Sequence, residues 1–277
     1  MMGDLPPQDS PALAALANLP PLRSVQVFGQ TIRYYDHGQG APLLLVHGLG
    51  ADADVWAYCI GPLSESFRVI APDLLGFGRS AKPLINYRLN TFVEVLDRFL
   101  QALAVPRLSI IGNSMGGWLS AAFALRFPKR VNKLVLNDAI GIVAGSVQVP
   151  IDLRPSSLQN MRDILEFMFC DKELVTGELV EMVYELHLVR NDGPTIAAML
   201  EAMEQHIDAL DDKLHALRAP TLLLWGDTDR LSPLSMAEEF QRRIKGSRLE
   251  VIPHCGHIPA LEKPQELVKH VLRFLAE

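Results

Sequence analysis

The sequence predicts an α/β fold in which a mostly parallel sheet is covered by helices on both faces. Three observations predict it. Short apolar runs alternate with longer segments of helical period along most of the chain. Several runs, such as Leu43-Leu44-Leu45-Val46, are apolar throughout, as in strands buried on both sides. Gly112-Asn113-Ser114-Met115-Gly116 stands between one such run, Leu108 to Ile111, and helix-forming sequence that reaches Phe127 and stops at Pro128. A turn of that pattern is so tight that side chains two residues either side of the serine would strike neighbouring backbone.

The elements follow in order. Residues 1–22 are proline-rich and read as a loosely held arm, with a helical turn or two at Leu13–Ala17. Ser24–Phe28 and Thr31–Tyr35 flank Gly29-Gln30 and predict an antiparallel hairpin. The strand at Leu43–Val46 ends in His47-Gly48-Leu49-Gly50. A helix is expected over Val55–Leu63, then a strand over Phe67–Ala71 that ends in Pro72-Asp73, and then the loop Gly76-Phe77-Gly78-Arg79-Ser80. Asn90 or Thr91 with Glu94 has the spacing of a capping box, and Phe92, Leu96, Phe99, Leu100 and Leu103 share one helical face. The serine turn with its strand and helix comes next, followed by a strand at Lys133–Leu136.

After Asp138 the rhythm changes. From about Ile142 to Leu217 there is no run of parallel-sheet type, but three patches have helical spacing: Leu158, Met161, Leu165, Met168; Leu179, Met182, Val183, Leu186; and Ile196, Met199, Leu200, Met203. Residues 142–217 therefore read as a helical cap inserted into a core made of 23–141 and 218–277. The alternation resumes with a strand at Thr221–Trp225, a helix near Leu234–Ile244, a strand at Arg248–Ile252 and a last helix over Pro264–Ala276.

Composition narrows the function classes. The 277 residues carry a net charge of −6 with basic residues scattered, so no phosphate-tracking surface for nucleic acid is expected. Cys59, Cys170 and Cys255 lie far apart, without metal-ligand spacing, and read as free thiols of a reducing compartment. No apolar run approaches a membrane span, and no secretory leader is evident at the start. A cytoplasmic location is the expectation.

A serine nucleophile needs a base, and the base needs an orienting acid. Among the eight histidines, His257 stands after the last strand in a Gly/Pro loop, with His254 as the alternative nearer the strand. Trp225-Gly226-Asp227-Thr228-Asp229 follows the penultimate strand. Asp229, past the turn, is the stronger acid, whereas Asp227 is expected to bond backbone amides. Asp138, after the strand that follows the serine turn, is a third candidate. All of these follow strands, where ligands of such sheets gather.

These residues carry a resemblance. From about Val25 to Glu277 the chain resembles the α/β-hydrolases, on His47-Gly48-Leu49-Gly50, Asp73 with Gly76–Ser80, Gly112–Gly117, Gly226–Asp229 and Gly256-His257. The resemblance implies Ser114 as nucleophile, Asp229 as acid and His257 as base. It also implies an oxyanion hole from the backbone N–H groups of Leu49 and Met115, with His47 and Asp73 structural. No cofactor and no metal are implied.

Within the family, the Gly-Asn-Ser-Met-Gly-Gly turn and the helical insert resemble the meta-cleavage-product hydrolases, which cleave a carbon–carbon bond in dienoate acids. Two departures stand out. Ile258 follows the histidine where those enzymes carry tryptophan, and Val183 falls near the position of their carboxylate-holding cap arginine, with Arg154, Arg162 and Arg190 elsewhere in the insert. The sequence expectation is therefore a serine carboxylesterase for small to medium hydrophobic esters, under a lid walled by Met161, Phe167, Met168, Phe169, Met182, Met199 and Met203. The carbon–carbon hydrolase is the alternative, and a receptor-like ligand binder with slow turnover is a third class. Monomer and homodimer stay open.

Overall fold

The computed structural model of the protein describes residues 15–277. Most of the N-terminal arm, including part of the Leu13–Ala17 turn, lies outside the described residues, and 15–17 are helical. Among the described residues eight strands form one sheet: β1 (Arg23–Val27), β2 (Gln30–His37), β3 (Ala41–Val46), β4 (Phe67–Pro72), β5 (Leu108–Asn113), β6 (Val131–Asn137), β7 (Thr221–Gly226) and β8 (Arg248–Ile252). Their order is β1-β2-β4-β3-β5-β6-β7-β8. The pairs β1·β2 and β2·β4 are antiparallel, and every pair from β4 to β8 is parallel.

The helices are α1 (Ala57–Ser64), α2 (Leu89–Ala102), α3 (Met115–Arg126), α4 (Leu158–Met168), α5 (Gly177–Arg190), α6 (Gly193–Glu204), α7 (Leu234–Arg243), α8 (Pro259–Glu262) and α9 (Pro264–Ala276). Alternation along the strands decides which layer each residue joins. Leu44, Val46, Ile70, Ile110, Leu136 and Leu223 pack with the apolar faces of α2, α3 and α7. Leu43, Leu45, Val69, Ile111, Val135 and Leu224 pack on the opposite face with α1 and α9. Such strands need apolar side chains at every position, which is why their runs are unbroken.

Three local expectations shift. The hairpin turns at Phe28-Gly29, with Val27 paired to Gln30 and positive φ at both turn residues (51° and 73°). That is the turn geometry matching strand twist, and it draws Gln30 into the strand. The helix expected over Val55–Leu63 is broken: Ala53–Trp56 forms a 3₁₀ turn capped by Asp52, and α1 begins at Ala57. No capping box starts α2, whose first residue is Leu89. Thr91 Oγ1 instead donates to Asn86 O, and Glu94 pairs with Arg126 on α3.

The segment between β6 and β7 carries α4, α5 and α6. Ser157 and Thr176 accept N–H bonds at the starts of α4 and α5, and Asn191 closes α5 in the left-handed conformation. The three helices are covered differently. Ile196, Met199 and Leu200 of α6 join the main core, whereas Met161, Leu165, Phe169, Val175 and Val180 make a small cluster of their own. In α5 only Val180 is buried. Among the described residues no helix is long and apolar enough to cross a membrane.

Candidate active site

Ser114 stands between β5 and α3 with φ 56° and ψ −121°, a backbone shape that L-residues adopt only under strain. The turn is held shut by contact. A Cβ on Gly112 would lie 2.2 Å from Gly116 O, and one on Gly116 would lie 2.2 Å from Val46 O. Ser114 N donates to Asn137 O at 3.0 Å, which ties the turn to the end of β6. The serine is buried and lines a cavity beneath the helical segment.

His257 and Asp229 meet from neighbouring loops. His257 Nδ1 lies 2.7 Å from Asp229 Oδ2, and both residues are buried. An ionised carboxylate only accepts, so the ring proton sits on Nδ1 and leaves Nε2 as the acceptor. Nε2 is buried and has no hydrogen-bond partner among the described residues, and His257 lines the same cavity as Ser114. The loop is pinned by His257 N donating to Met168 O (2.8 Å) and by Asn113 Nδ2 donating to His257 O (3.1 Å). Asp229 also accepts from Leu231 N (2.8 Å), Ser232 N (3.0 Å) and Ser232 Oγ (2.6 Å). Burial pushes its carboxyl pKa up, but the interaction with His257 and these hydrogen bonds outweigh it and hold the pKa below the usual value.

The other candidates fall elsewhere. His254 is exposed, in a turn with φ 51°. Asp227 is exposed and accepts from Cys255 N at 3.3 Å. Asp138 is fully buried, accepting from Gly226 N (2.9 Å) and Asn137 Nδ2 (2.6 Å). Burial first, and the nearby Asp229 charge second, raise its pKa well above the ordinary carboxylate value, so it favours the neutral acid.

Leu49 lines the cavity, and Met115 opens α3, where the first N–H groups have no partner within the helix. His47 Nδ1 donates to Gly48 O at 2.8 Å, and Nε2 accepts from Leu74 N at 3.0 Å, so the ring bridges the loops after β3 and β4. Burial lowers its pKa to about 4 and keeps it neutral. Asp73 accepts from Ala53 N and Arg79 N at 3.0 and 2.8 Å, joining the same two loops. Among the described residues no group of His, Cys, Asp and Glu side chains suits a metal ion.

A family model described as alpha/beta hydrolase fold matches residues 41–211 and 203–264. The chain belongs to the α/β-hydrolases. A 2-hydroxy-6-oxo-2,4-heptadienoate hydrolase of Pseudomonas putida is 36% identical to it over 265 residues, 92% of this chain and 96% of that protein. A meta-cleavage product hydrolase from Pseudomonas fluorescens IP01, solved with acetates, matches with a TM-score of 0.81 at 31% identity, covering 92% of this chain and 97% of that one. A membrane phospholipase A matches with a TM-score of 0.81 at 32% identity, covering 92% and 86%. This α/β-hydrolase is thus a hydrolase enzyme.

The cavity of this α/β-hydrolase has a volume of about 770 Å³. Of the seven lid residues expected to wall it, Met161, Met168, Phe169, Met182 and Met203 do so. Met199 is buried in the main core instead, and Phe167 lies under the Arg230 guanidinium at 4.8 Å. Two polar groups interrupt the apolar wall: Arg154, paired with Asp152 and Glu204, and a second one on α5; Arg162 is not part of the wall. Val183 does line the wall, but so does Arg190, two helical turns further along α5, with His187. Arg190 pairs with Asp52, which caps the turn after β3, and lies 3.7 Å from Asp54. The signal available was periodicity: Val183, His187 and Arg190 fall on one face of a single helix.

Proposed function

We propose that the enzyme hydrolyses a carbon–carbon bond in 2-hydroxy-6-oxo-dienoate acids, the products of ring meta-cleavage, with Ser114 as nucleophile, His257 as base and Asp229 as the acid that orients it. The observation that carries this over the ester reading is Arg190 in the cavity wall. Ester and ketone hydrolysis share the early steps. His257 Nε2 takes the Ser114 proton as the hydroxyl adds to the carbonyl carbon, and the Leu49 and Met115 N–H groups receive the developing oxyanion. They differ in what leaves. A carbon leaving group departs only after the enol has ketonised, its hydroxyl proton moving to the carbon that will leave; the bonding pair then spreads through the remaining double bond to the new carbonyl oxygen beside the carboxylate, where a fixed cation stabilises it. Arg190 supplies that cation, and the 36% identical relative named a dienoate hydrolase supports the substrate class.

A carboxylesterase remains the second reading, favoured by Ile258, which stands after the histidine and lines the cavity with an apolar side chain. Purified enzyme separates the two with 2-hydroxy-6-oxo-hepta-2,4-dienoate and p-nitrophenyl butyrate side by side. The expected result is a kcat/KM for the dienoate at least about 100-fold above that for the ester, with turnover reduced about 10⁶-fold in Ser114→Ala. Arg190→Gln should lower kcat/KM for the dienoate about tenfold or more and leave ester hydrolysis nearly unchanged. Rapid ester turnover without dienoate cleavage would reverse the order of the two readings.

A further inference from the structure

We propose that Asp52 is an internal competitor for Arg190: its carboxylate occupies the guanidinium that an anionic substrate needs, and so sets how strongly the cavity selects carboxylates. The inference rests on Arg190 being the anion-holding group of the proposed function.

The geometry isolates Asp52 from its acidic neighbours. Asp73 is held by Arg79 through Nε and NH2 at 2.8 and 3.0 Å. Asp54 is held by Arg79 at 2.9 Å and by the Tyr35 hydroxyl at 2.8 Å. Asp52 is 3% exposed, uses Oδ1 to accept from Asp54 N at 3.0 Å, and has Arg79 only at 4.0 Å. Its close cation is Arg190, which arrives from the lid helix. Three carboxylates of the core side thus share one core-side arginine and one lid arginine.

A carboxylate entering the reach of Arg190 therefore adds a fourth negative charge to the cluster and removes the partner of Asp52. A buried carboxylate left that way takes a proton from solvent rather than stay charged. The resting group is already poised to do so. Burial, then the charges of Asp54 and Asp73, raise its pKa to about 7 against the pull of Arg190 and Arg79. The other charged or titratable groups facing the cluster are accounted for. Lys82 Nζ donates to Gly78 O and Ser80 O (2.6 and 3.1 Å), His187 Nδ1 is 2.8 Å from Asp192, and His47 is neutral. Binding of a carboxylate is consequently coupled to proton uptake: above about pH 7 Asp52 is ionised and holds Arg190, and below it Asp52 yields.

The test is isothermal titration calorimetry of hexa-2,4-dienoate, a carboxylate without a scissile bond, into wild type, Asp52→Asn and Arg190→Gln from about pH 6 to about pH 9. Asparagine retains the Oδ1 acceptor that caps the turn. Wild-type affinity should fall as pH rises, with proton uptake visible in buffers of different ionisation enthalpy. Asp52→Asn should bind about tenfold tighter near pH 8 and lose the pH trend, whereas His187→Gln should keep it. Arg190→Gln should bind weakly at every pH. If Asp52→Asn keeps wild-type affinity and trend while Arg190→Gln loses the ligand, the competitor role is overturned and the Arg190 assignment stands. Wild-type affinity in Arg190→Gln overturns both.

Discussion

At the scale of residues, Asp138 shows how one buried carboxyl differs from another. Asp229 meets a histidine and three donors and stays ionised, whereas Asp138 meets two donors and a like charge. Its folded pKa is raised, so its contribution to stability is present below the ordinary value of 3.8 and is lost as pH rises. Asp138→Asn removes that loss. Asparagine tolerates the φ of 45°, and its amide oxygen keeps the acceptor for Gly226 N. The melting temperature of the variant relative to wild type should therefore climb as pH rises above the ordinary value of 3.8, with kcat within about threefold. A pH-independent difference in calorimetry would show that Asp138 is ionised in the fold. The sequence could list Asp138, Asp227 and Asp229 as carboxylates after strands. It could not rank them by environment, because desolvation and partner count come from chains far apart in sequence.

At the scale of elements, the histidine loop is tied to the C-terminal end of α4. Glu262 at the end of α8 accepts from Gly256 N beside the histidine (2.9 Å) and from Cys170 N at the foot of α4 (2.7 Å). His257 N reaches Met168 O of the same helix. Glu262→Ala breaks two of these three ties, and a histidine free to drift by about an ångström should lower kcat between about tenfold and about 100-fold. KM for the substrate should move less; a variant with unchanged kcat would show that the His257–Met168 bond suffices. Elements of this kind were legible to unequal degrees. Fully apolar runs fixed β3, β5 and β7 to within a residue or two, because burial on both faces leaves a mark at every position. The helix starts at Ala57 and Leu89 were not legible, since packing of Trp56 and Leu89 outweighed the side-chain signals nearby.

At the scale of the whole molecule, the apolar side chains gather into two large clusters on either face of the sheet and a third in the lid. The third is small and excludes α6, which belongs to the main core. Local opening follows the weakest cluster, so α4 and α5 should exchange amide hydrogens well before α6 in mass-spectrometric exchange, by about 100-fold or more in protection. Equal protection across the three helices would mean the insert opens as one body. From sequence the three helices looked alike, because periodicity reveals an apolar face and is silent about what covers it. The same silence hid the charged pair in the cavity wall: Arg190 and Asp52 are separated by about half of the chain, and only the packing of α5 over the loop after β3 brings them together.

The half-buried apolar stripe of α5 that faces the cavity bears on how such an enzyme changes over generations. Leu179, Met182, Val183 and Leu186 line the cavity, while Val180 is the buried residue of the helix. Leu179 and Val183 also pack on the small apolar cluster, but substitutions at Met182 and Leu186 leave no void in a packed interior and so escape the cost of about 2–5 kcal/mol that truncating a core side chain carries. They alter the space offered to the substrate and little else. The fold thereby keeps a set of freely mutable positions facing its own chemistry, and new substrates can be explored there without endangering the architecture that holds Ser114, His257 and Asp229.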